Sequence, residues 1–281
     1  MGAHRFTLGR FAWFSAAMLC LCGALPAIAA EAVLVGGTGS GSRLLQALAD
    51  EYHKSAPTAQ VIVVDPPLGS GAAIKGLKTG KLQVAVSARR LEGEEKQWDL
   101  VEIEFARTPF VFASRDGERS GGFSLVQLAD VYAGRWGAWD NGAPIRLILR
   151  PDFDADTIAI RAMSPRLGQA VTQALARQGM VTASSDMEAL KMIEEIPGSL
   201  GPTTLGLVRL LNSGVHVFPI DGRTPSAKAL AERSYPWFKT LYLVIRKQPG
   251  ADVQAFVDFL RSRQAGDFLA RSEHLPVSHA K

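Results

Sequence analysis

The sequence predicts an α/β protein built from two units, and three observations lead there. Residues 32–86 alternate short apolar runs with amphipathic stretches in β-α-β-α-β order, which sets parallel strands side by side with helices on both faces. The middle of the chain repeats the theme. Once an N-terminal leader is set aside, about 250 residues remain with no low-complexity linker, and two units of ~100–120 residues fit that length better than one.

The leader comes first. Arg5 and Arg10 precede an uncharged apolar run from Phe11 to Leu25, and Ala27-Ile28-Ala29 offers small residues where a signal peptidase reads. This is the anatomy of a secretory signal peptide over residues 1–29, cleaved near Ala29. The run is shorter than the ~20 residues of a spanning helix, which argues against a retained anchor. Both cysteines, Cys20 and Cys22, fall inside it, and each follows a leucine, which disfavours a lipid anchor. The expected product is soluble in the periplasm or outside the cell, without thiol chemistry.

After the leader, Ala32–Val35 is predicted as a strand ending in a Gly-rich turn, and Leu44, Leu45, Leu48, Ala49 and Tyr52 carry helical spacing over 42–54. A strand follows at 61–64, a short helix at 71–78 and a strand at 84–86. Val101 to Ala113 is extended and mostly apolar, 125–132 is a short helix, and 145–149 is a strand. One long helix is expected over 157–178, with a break possible at Pro165, and another over 186–196. Residues 205–217 hold two short apolar runs. Thr240–Ile245 is a strand, and 252–270 is one amphipathic helix.

Three Ser/Thr/Gly loops sit where a strand hands over to a helix: Gly36 to Ser42, Gly69-Ser70-Gly71, and Ser87-Ala88-Arg89-Arg90. In an open α/β sheet, ligands bind at the carboxyl ends of strands, and helix N-termini there offer free N–H donors and partial positive charge. Thr38, Gly39, Ser40, Gly41, Ser70, Gly71, Ser87 and Arg89 are therefore candidates to cradle a small oxyanion. Each loop taken alone also reads as an N-cap plus a turn. A fourth loop, Arg150 to Thr157, offers Arg150 as a bidentate oxyanion clamp. Its Asp154 and Asp156 could instead cap the helix and repel an anion, and the residues leave open which they do.

Other chemistries find little support. Counting 31 basic against 27 acidic residues, and removing Arg5 and Arg10 with the leader, leaves a charge too small to suggest nucleic-acid binding. The first loop lacks a P-loop lysine and does not fit the dinucleotide fingerprint. His53, His216, His274 and His279 show no i,i+4 metal spacing, no G-x-S-x-G elbow occurs, and the Asp152-x-Asp154-x-Asp156 alternation lacks the rest of a calcium loop. Nothing in the residues requires a cofactor or metal, and an enzyme is not expected.

The order of these features resembles the phosphate-type solute-binding proteins of ABC importers. Leu128-Ala129-Asp130-Val131-Tyr132-Ala133-Gly134 through Trp139, followed by Ile145 to Arg150, is similar to that family's "L-x-D-I-Y-x-G" segment and the strand before its "R-x-D-G-S-G-T" loop. Ile196-Pro197-Gly198 with Leu200-Gly201 is similar to its "PGAIGY" stretch, and Tyr235-Pro236 to its "YPI" return. The resemblance implies a type II periplasmic-binding-protein fold, two lobes each with a mostly parallel sheet flanked by helices. Lobe one would be residues 30–112 plus 237–281 and lobe two 113–236, with the ligand between them. It also implies Thr38, Ser40, Gly41, Ser70, Gly71, Ser87, Arg150 and Thr157 as ligand-binding positions. Two departures stand out. Asp154-Ala155-Asp156 replaces the family's Gly-Ser-Gly, and its proton-accepting Asp in the third loop falls near Ala88, beside Arg89. Asp156 facing the cleft would ask for a donor-bearing ligand, whereas Arg89 facing it would match more negative charge.

The expected function is capture of a small oxyanion, phosphate first among them, by a monomer that hands it to a membrane ABC permease or a sensor. The alternative is an envelope sensor or interaction protein on the same fold that has lost or changed its ligand.

Overall fold

A computed structural model of the chain describes residues 1–2, 32–117, 119 and 121–277. The signal-peptide reading, with its two cysteines and its cleavage site, lies outside these residues. The first half follows the predicted alternation: β1 (Val33–Gly37), α1 (Gly39–Ser55), β2 (Val61–Val63), α2 (Ser70–Lys78) and β3 (Val84–Ser87). A 3₁₀ turn at Gly93–Gln97 leads into the long strand β4 (Leu100–Ser114). Then come α3 (Leu125–Tyr132), β5 (Arg146–Leu149), α4 (Ala155–Met163), α5 (Pro165–Ala176), β6 (Val181–Thr182), α6 (Asp186–Glu195), β7 (Ser199–Thr204), α7 (Leu205–Leu210), β8 (His216–Phe218), α8 (Ala227–Ala231), β9 (Phe238–Arg246), α9 (Ala251–Leu260), α10 (Arg263–Arg271) and β10 (Leu275–Pro276).

The strands run in the order β2-β1-β3-β9-β4-β7-β5-β6. The pairs β1–β2 and β1–β3 are parallel, as the alternation predicts. The next pairs are not: β9 runs antiparallel to both β3 and β4. The sheet is therefore mixed, because β9 comes from the far end of the chain and not from a right-handed crossover. The first part of β4 pairs with β9 from Leu100 to Pro109, and its last residues pair with β7 and β8. That single strand joins the two halves of the sheet.

Two predicted helices are each split by a serine cap. Ser164 closes α4 and caps α5, accepting from the Leu167 N–H, with Pro165 at the first helical position, where a missing N–H costs nothing. Arg261 closes α9, and Ser262 then caps α10, accepting from the Ala265 N–H. Strand β7, Ser-Leu-Gly-Pro-Thr-Thr, is absent from the predicted elements because its Gly and Pro carry low strand propensity. It forms because it is buried along its whole length between β4 and β5. Pro202 lies beyond the residues that pair with β5, so its missing N–H breaks no ladder bond there.

The apolar residues segregate. Val33, Val35, Leu44, Leu48, Val84, Leu241, Leu243, Phe256 and Leu260 share one core. Phe110, Phe112, Phe123, Tyr132, Trp139, Leu149, Leu167 and Tyr235 share another, tied by edge-on contacts such as Phe112–Tyr132 at 6.2 Å between centroids. Among the described residues no helix is long and apolar enough to cross a membrane.

Candidate functional site

The first three loops are hydrogen-bonded to one another. Thr38 N–H donates to Val86 O at 3.1 Å, and Gly69 N–H to Gly37 O at 2.9 Å. Ala88 N–H donates to Ser70 Oγ at 3.0 Å. Gly69, at φ 79°, takes the left-handed turn that starts α2, where a side chain would be strained. The N-termini of α1 and α2 thereby open on one side of a cleft of about 690 Å³. Arg150, Asp154, Ser184 and Ser185 line the other side, and Lys239 of β9 also reaches it.

The floor of this cleft is a buried charge network. The Arg150 side chain is 3% exposed. Its Nη1 donates to Ala183 O at 2.9 Å, and its Nη2 to Asp154 Oδ2 at 2.6 Å. Asp186 Oδ1 lies 3.4 Å from that Nη2 and 3.2 Å from Lys239 Nζ. Lys239 also pairs with Asp156 Oδ1, and Asp156 Oδ2 lies 3.5 Å from Arg150 Nε. Two cations thus face three carboxylates in a site nearly closed to water, where uncompensated charge is costly.

The other Asp186 oxygen sits on the start of α1. Thr38 Oγ1 donates to Asp186 Oδ2 at 3.0 Å, and Ser40 N–H donates to the same atom at 3.0 Å. Helix α1 has no acidic residue in its first turn, so Asp186, the first residue of α6, supplies the negative charge its N-terminus favours. Gly39 makes the approach possible: a Cβ there would stand 3.2 Å from Asp186 Cβ and 3.4 Å from Met187 N.

Burial would raise the Asp186 carboxyl, but Lys239, Arg150 and the Ser40 N–H hold it well below the usual carboxylate range. Burial also opposes the charge on Lys239, and Asp156 and Asp186 override it, so the ammonium is held well above its ordinary value. Asp156 goes the other way. Its burial, with Asp186 and Asp154 beside it, outweighs Lys239 and Arg150 and pushes it up to about 6.

Of the residues predicted from the sequence, Thr38, Gly39, Ser70, Gly71, Arg89 and Arg150 line the cleft. The remaining five sit behind its surface. Ser40 and Gly41 are buried in the first turn of α1. Ser87 is fully buried, its Oγ donating to Arg89 O at 2.6 Å and accepting from Arg89 N–H at 3.1 Å. Thr157 donates to Arg150 O at 3.1 Å, which fixes the backbone of the arginine and leaves its own hydroxyl engaged. Asp156 faces Lys239 and not the open space. Arg89 reaches the rim, yet its guanidinium is held by Glu95 at 2.7 and 2.9 Å, so it is not a free charge.

Of the two aspartates of the fourth loop, Asp154 both caps α4, accepting from Asp156 N–H at 2.9 Å, and lines the cleft, where it binds Arg150, whereas Asp156 does neither. Asp186 and Lys239 are absent from the sequence-derived candidates. Asp186 reads there only as the start of a helix. Lys239 carries a faint signal, a lone charge between Phe238 and the Leu241–Ile245 run. The cleft mouth carries apolar side chains, with Phe153 84%, Ile158 57% and Leu68 42% exposed.

The chain is similar to solute-binding proteins along its length. It is 22% identical over 252 residues to the phosphate-binding protein PstS of Borreliella burgdorferi, covering 87% of this chain and 90% of that one. It is 23% identical over 261 residues to the phosphate-binding protein PstS of Bacillus subtilis, covering 90% and 83%. Among solved structures, a protein from Clostridium perfringens described as a phosphate ABC transporter substrate-binding protein with bound phosphate superposes with a TM-score of 0.74 at 21% identity, covering 88% of this chain and 100% of that one. A high-affinity periplasmic phosphate-binding protein bound with phosphate superposes at 0.66 and 14% identity, covering 88% and 91%. The model of the PBP superfamily domain matches residues 25–264. With two sheet halves joined through β4, and helix N-termini opening on the cleft between them, the chain belongs to the PBP superfamily of solute-binding proteins.

Proposed function

We propose that this protein is an extracytoplasmic solute-binding protein that captures a small oxyanion, phosphate or a close relative, for an ABC importer. The observation that carries this is the convergence of the α1 and α2 N-termini and Arg150 on one cleft, the donor set that an oxyanion asks for. The signal-like residues 1–29, with cleavage near Ala29, support export to the periplasm. The two similar proteins named phosphate-binding protein support phosphate as the first ligand to test, and the similar ABC transporter substrate-binding protein supports a permease as the receiving partner.

Binding in this reading is a closure of two lobes without bond making, by a monomer. The segregated cores support lobes near 30–112 plus 237–281 and 113–236. Phe110, Val111 and Phe112 pack with the second core, which favours a first boundary closer to Pro109. Calorimetric titration of the purified protein with phosphate tests the function. Micromolar or tighter binding that Arg150→Ala abolishes and Lys191→Ala leaves intact is the expected result.

A second reading has a specific observation in its favour. Arg150 and Lys239 are already matched by Asp154, Asp156 and Asp186, which fits a sensor or interaction protein whose ligand has been lost or changed. Silence toward phosphate and sulfate, with a membrane protein retained on the immobilised chain, would favour it.

A further inference from the structure

The donors at the start of α1 already hold an anion, and it belongs to the chain itself. Asp186 Oδ2 accepts from both Thr38 Oγ1 and Ser40 N–H, a hydroxyl and a helix N-terminal amide, which is the pairing a bound oxyanion oxygen would take. Its second oxygen meets Lys239 Nζ at 3.2 Å and Arg150 Nη2 at 3.4 Å. The residue is 6% exposed, so these contacts are made in place of water and not through it. The start of α6 lies against the start of α1, Gly39 permitting the approach. Two positive helix ends set together would repel, and the carboxylate between them removes that repulsion. The carboxylate is therefore built into the site by packing, and not a surface side chain that happens to reach it.

We propose that Asp186 is the specificity-determining residue of the cleft, an intramolecular ligand that occupies the oxyanion subsite and must be displaced before an external oxyanion can bind. The inference rests on the oxyanion-capture reading above. A tethered competitor lowers apparent affinity by the fraction of molecules in which the subsite is free, and tethering gives it a high effective concentration. It also imposes selection. An incoming anion has to offer Thr38, Ser40, Lys239 and Arg150 more than a monoanionic carboxylate does, which favours a doubly charged tetrahedral oxyanion over a carboxylate or a singly charged one.

The test is calorimetric titration with inorganic phosphate of the native chain, Asp186→Asn and Asp186→Ala, each alone and with Thr38→Val. Both Asp186 variants are expected to bind phosphate at least tenfold more tightly than the native chain. Adding Thr38→Val should cancel that gain, because the phosphate then sits on the hydroxyl that Asp186 vacated. A native chain that binds phosphate while neither variant binds it more tightly would overturn the proposal and leave the capture reading standing. A gain that survives Thr38→Val would overturn it too, since mere loss of a nearby negative charge would then suffice. Failure of every form to bind phosphate would sink both the proposal and phosphate as the captured oxyanion. Should the variants not fold, the carboxyl carbon resonance of Asp186 in the native chain gives the answer. Its movement on saturation with phosphate is expected, and a resonance unmoved in a phosphate-bound protein would overturn the proposal.

Discussion

Lys239 and Asp156 form an ion pair with both side chains at most 6% exposed. Removing one partner of such a pair strands the other in a low-dielectric site. Lys239→Met is expected to lower stability by about 3–5 kcal/mol, read from urea unfolding. Asp156→Asn in the same chain should return part of that loss, and a coupling near zero in the double-mutant cycle would refute the pairing.

Arg150 is the cation that faces all three carboxylates of the cleft floor, and Arg150→Ala leaves Asp154, Asp156 and Asp186 facing Lys239 alone. A loss of about 3–5 kcal/mol of stability is expected, together with loss of any oxyanion binding. Binding measured in Arg150→Lys should stay weak, because one ammonium cannot reach Ala183 O, Asp154 and Asp186 as the fork does.

The two predicted serines at the strand ends should behave differently. Ser70 Oγ accepts from Ala88 N–H and keeps its own proton free on the cleft, so Ser70→Ala should weaken phosphate binding about fivefold, the worth of one hydrogen bond. Ser87 spends its hydroxyl on Arg89. Ser87→Ala should leave affinity within twofold, and the same titration checks both.

Two buried groups pull stability in opposite directions between pH 6.5 and 4.5. Burial lifts Asp156 to about 6, so its contribution is full below about 4 and is lost as pH rises through 6. Burial lowers His274 to about 4, so its contribution is full above about 6.5 and is lost as pH falls, by about 3 kcal/mol at most. Each variant should expose the other group. His274→Gln should gain stability between pH 6.5 and 4.5, and Asp156→Asn should lose it more steeply than the native chain. Urea midpoints at the two pH values decide the sign.

Gly39 tests the contact between the two helix starts. A Cβ at 3.2 Å from Asp186 Cβ forces α6 to give way, and the branched side chain of Gly39→Val should cost about 1–3 kcal/mol of stability, measured by thermal unfolding.

Much of the fold was legible because its signals are local. The β1-α1-β2-α2-β3 unit announces itself by apolar runs and Gly/Ser turns, and the strand–turn–helix loops carrying Thr38, Ser70 and Arg150 follow from it. What stayed hidden depends on pairing across the chain. Asp186 reaches Thr38 over 148 residues and Lys239 over 53, distances at which no spacing rule operates. The antiparallel placement of β9 was hidden for the same reason, since the Thr240–Ile245 run marks a strand and not its neighbours, and β7, with its Gly and Pro, is made a strand by its neighbours and not by propensity. Ser87 and Thr157 had the right residue type at the right place, and the local backbone claimed their hydroxyls first.

Strand β9 lies between β3 (Val84–Ser87) and β4 (Leu100–Ser114) although, at Phe238–Arg246, it follows both of them by the whole of the second core's chain. Until Phe238–Arg246 has been synthesised and has arrived, β3 and β4 each present an unpaired edge, and the N-terminal sheet cannot close. Long-range closure of this kind slows folding, and open edges invite association with other chains. A chain stopped short of Phe238 would therefore be a sticky fragment and not a smaller folded unit. The C-terminal forty-odd residues are the closing piece on which both halves wait.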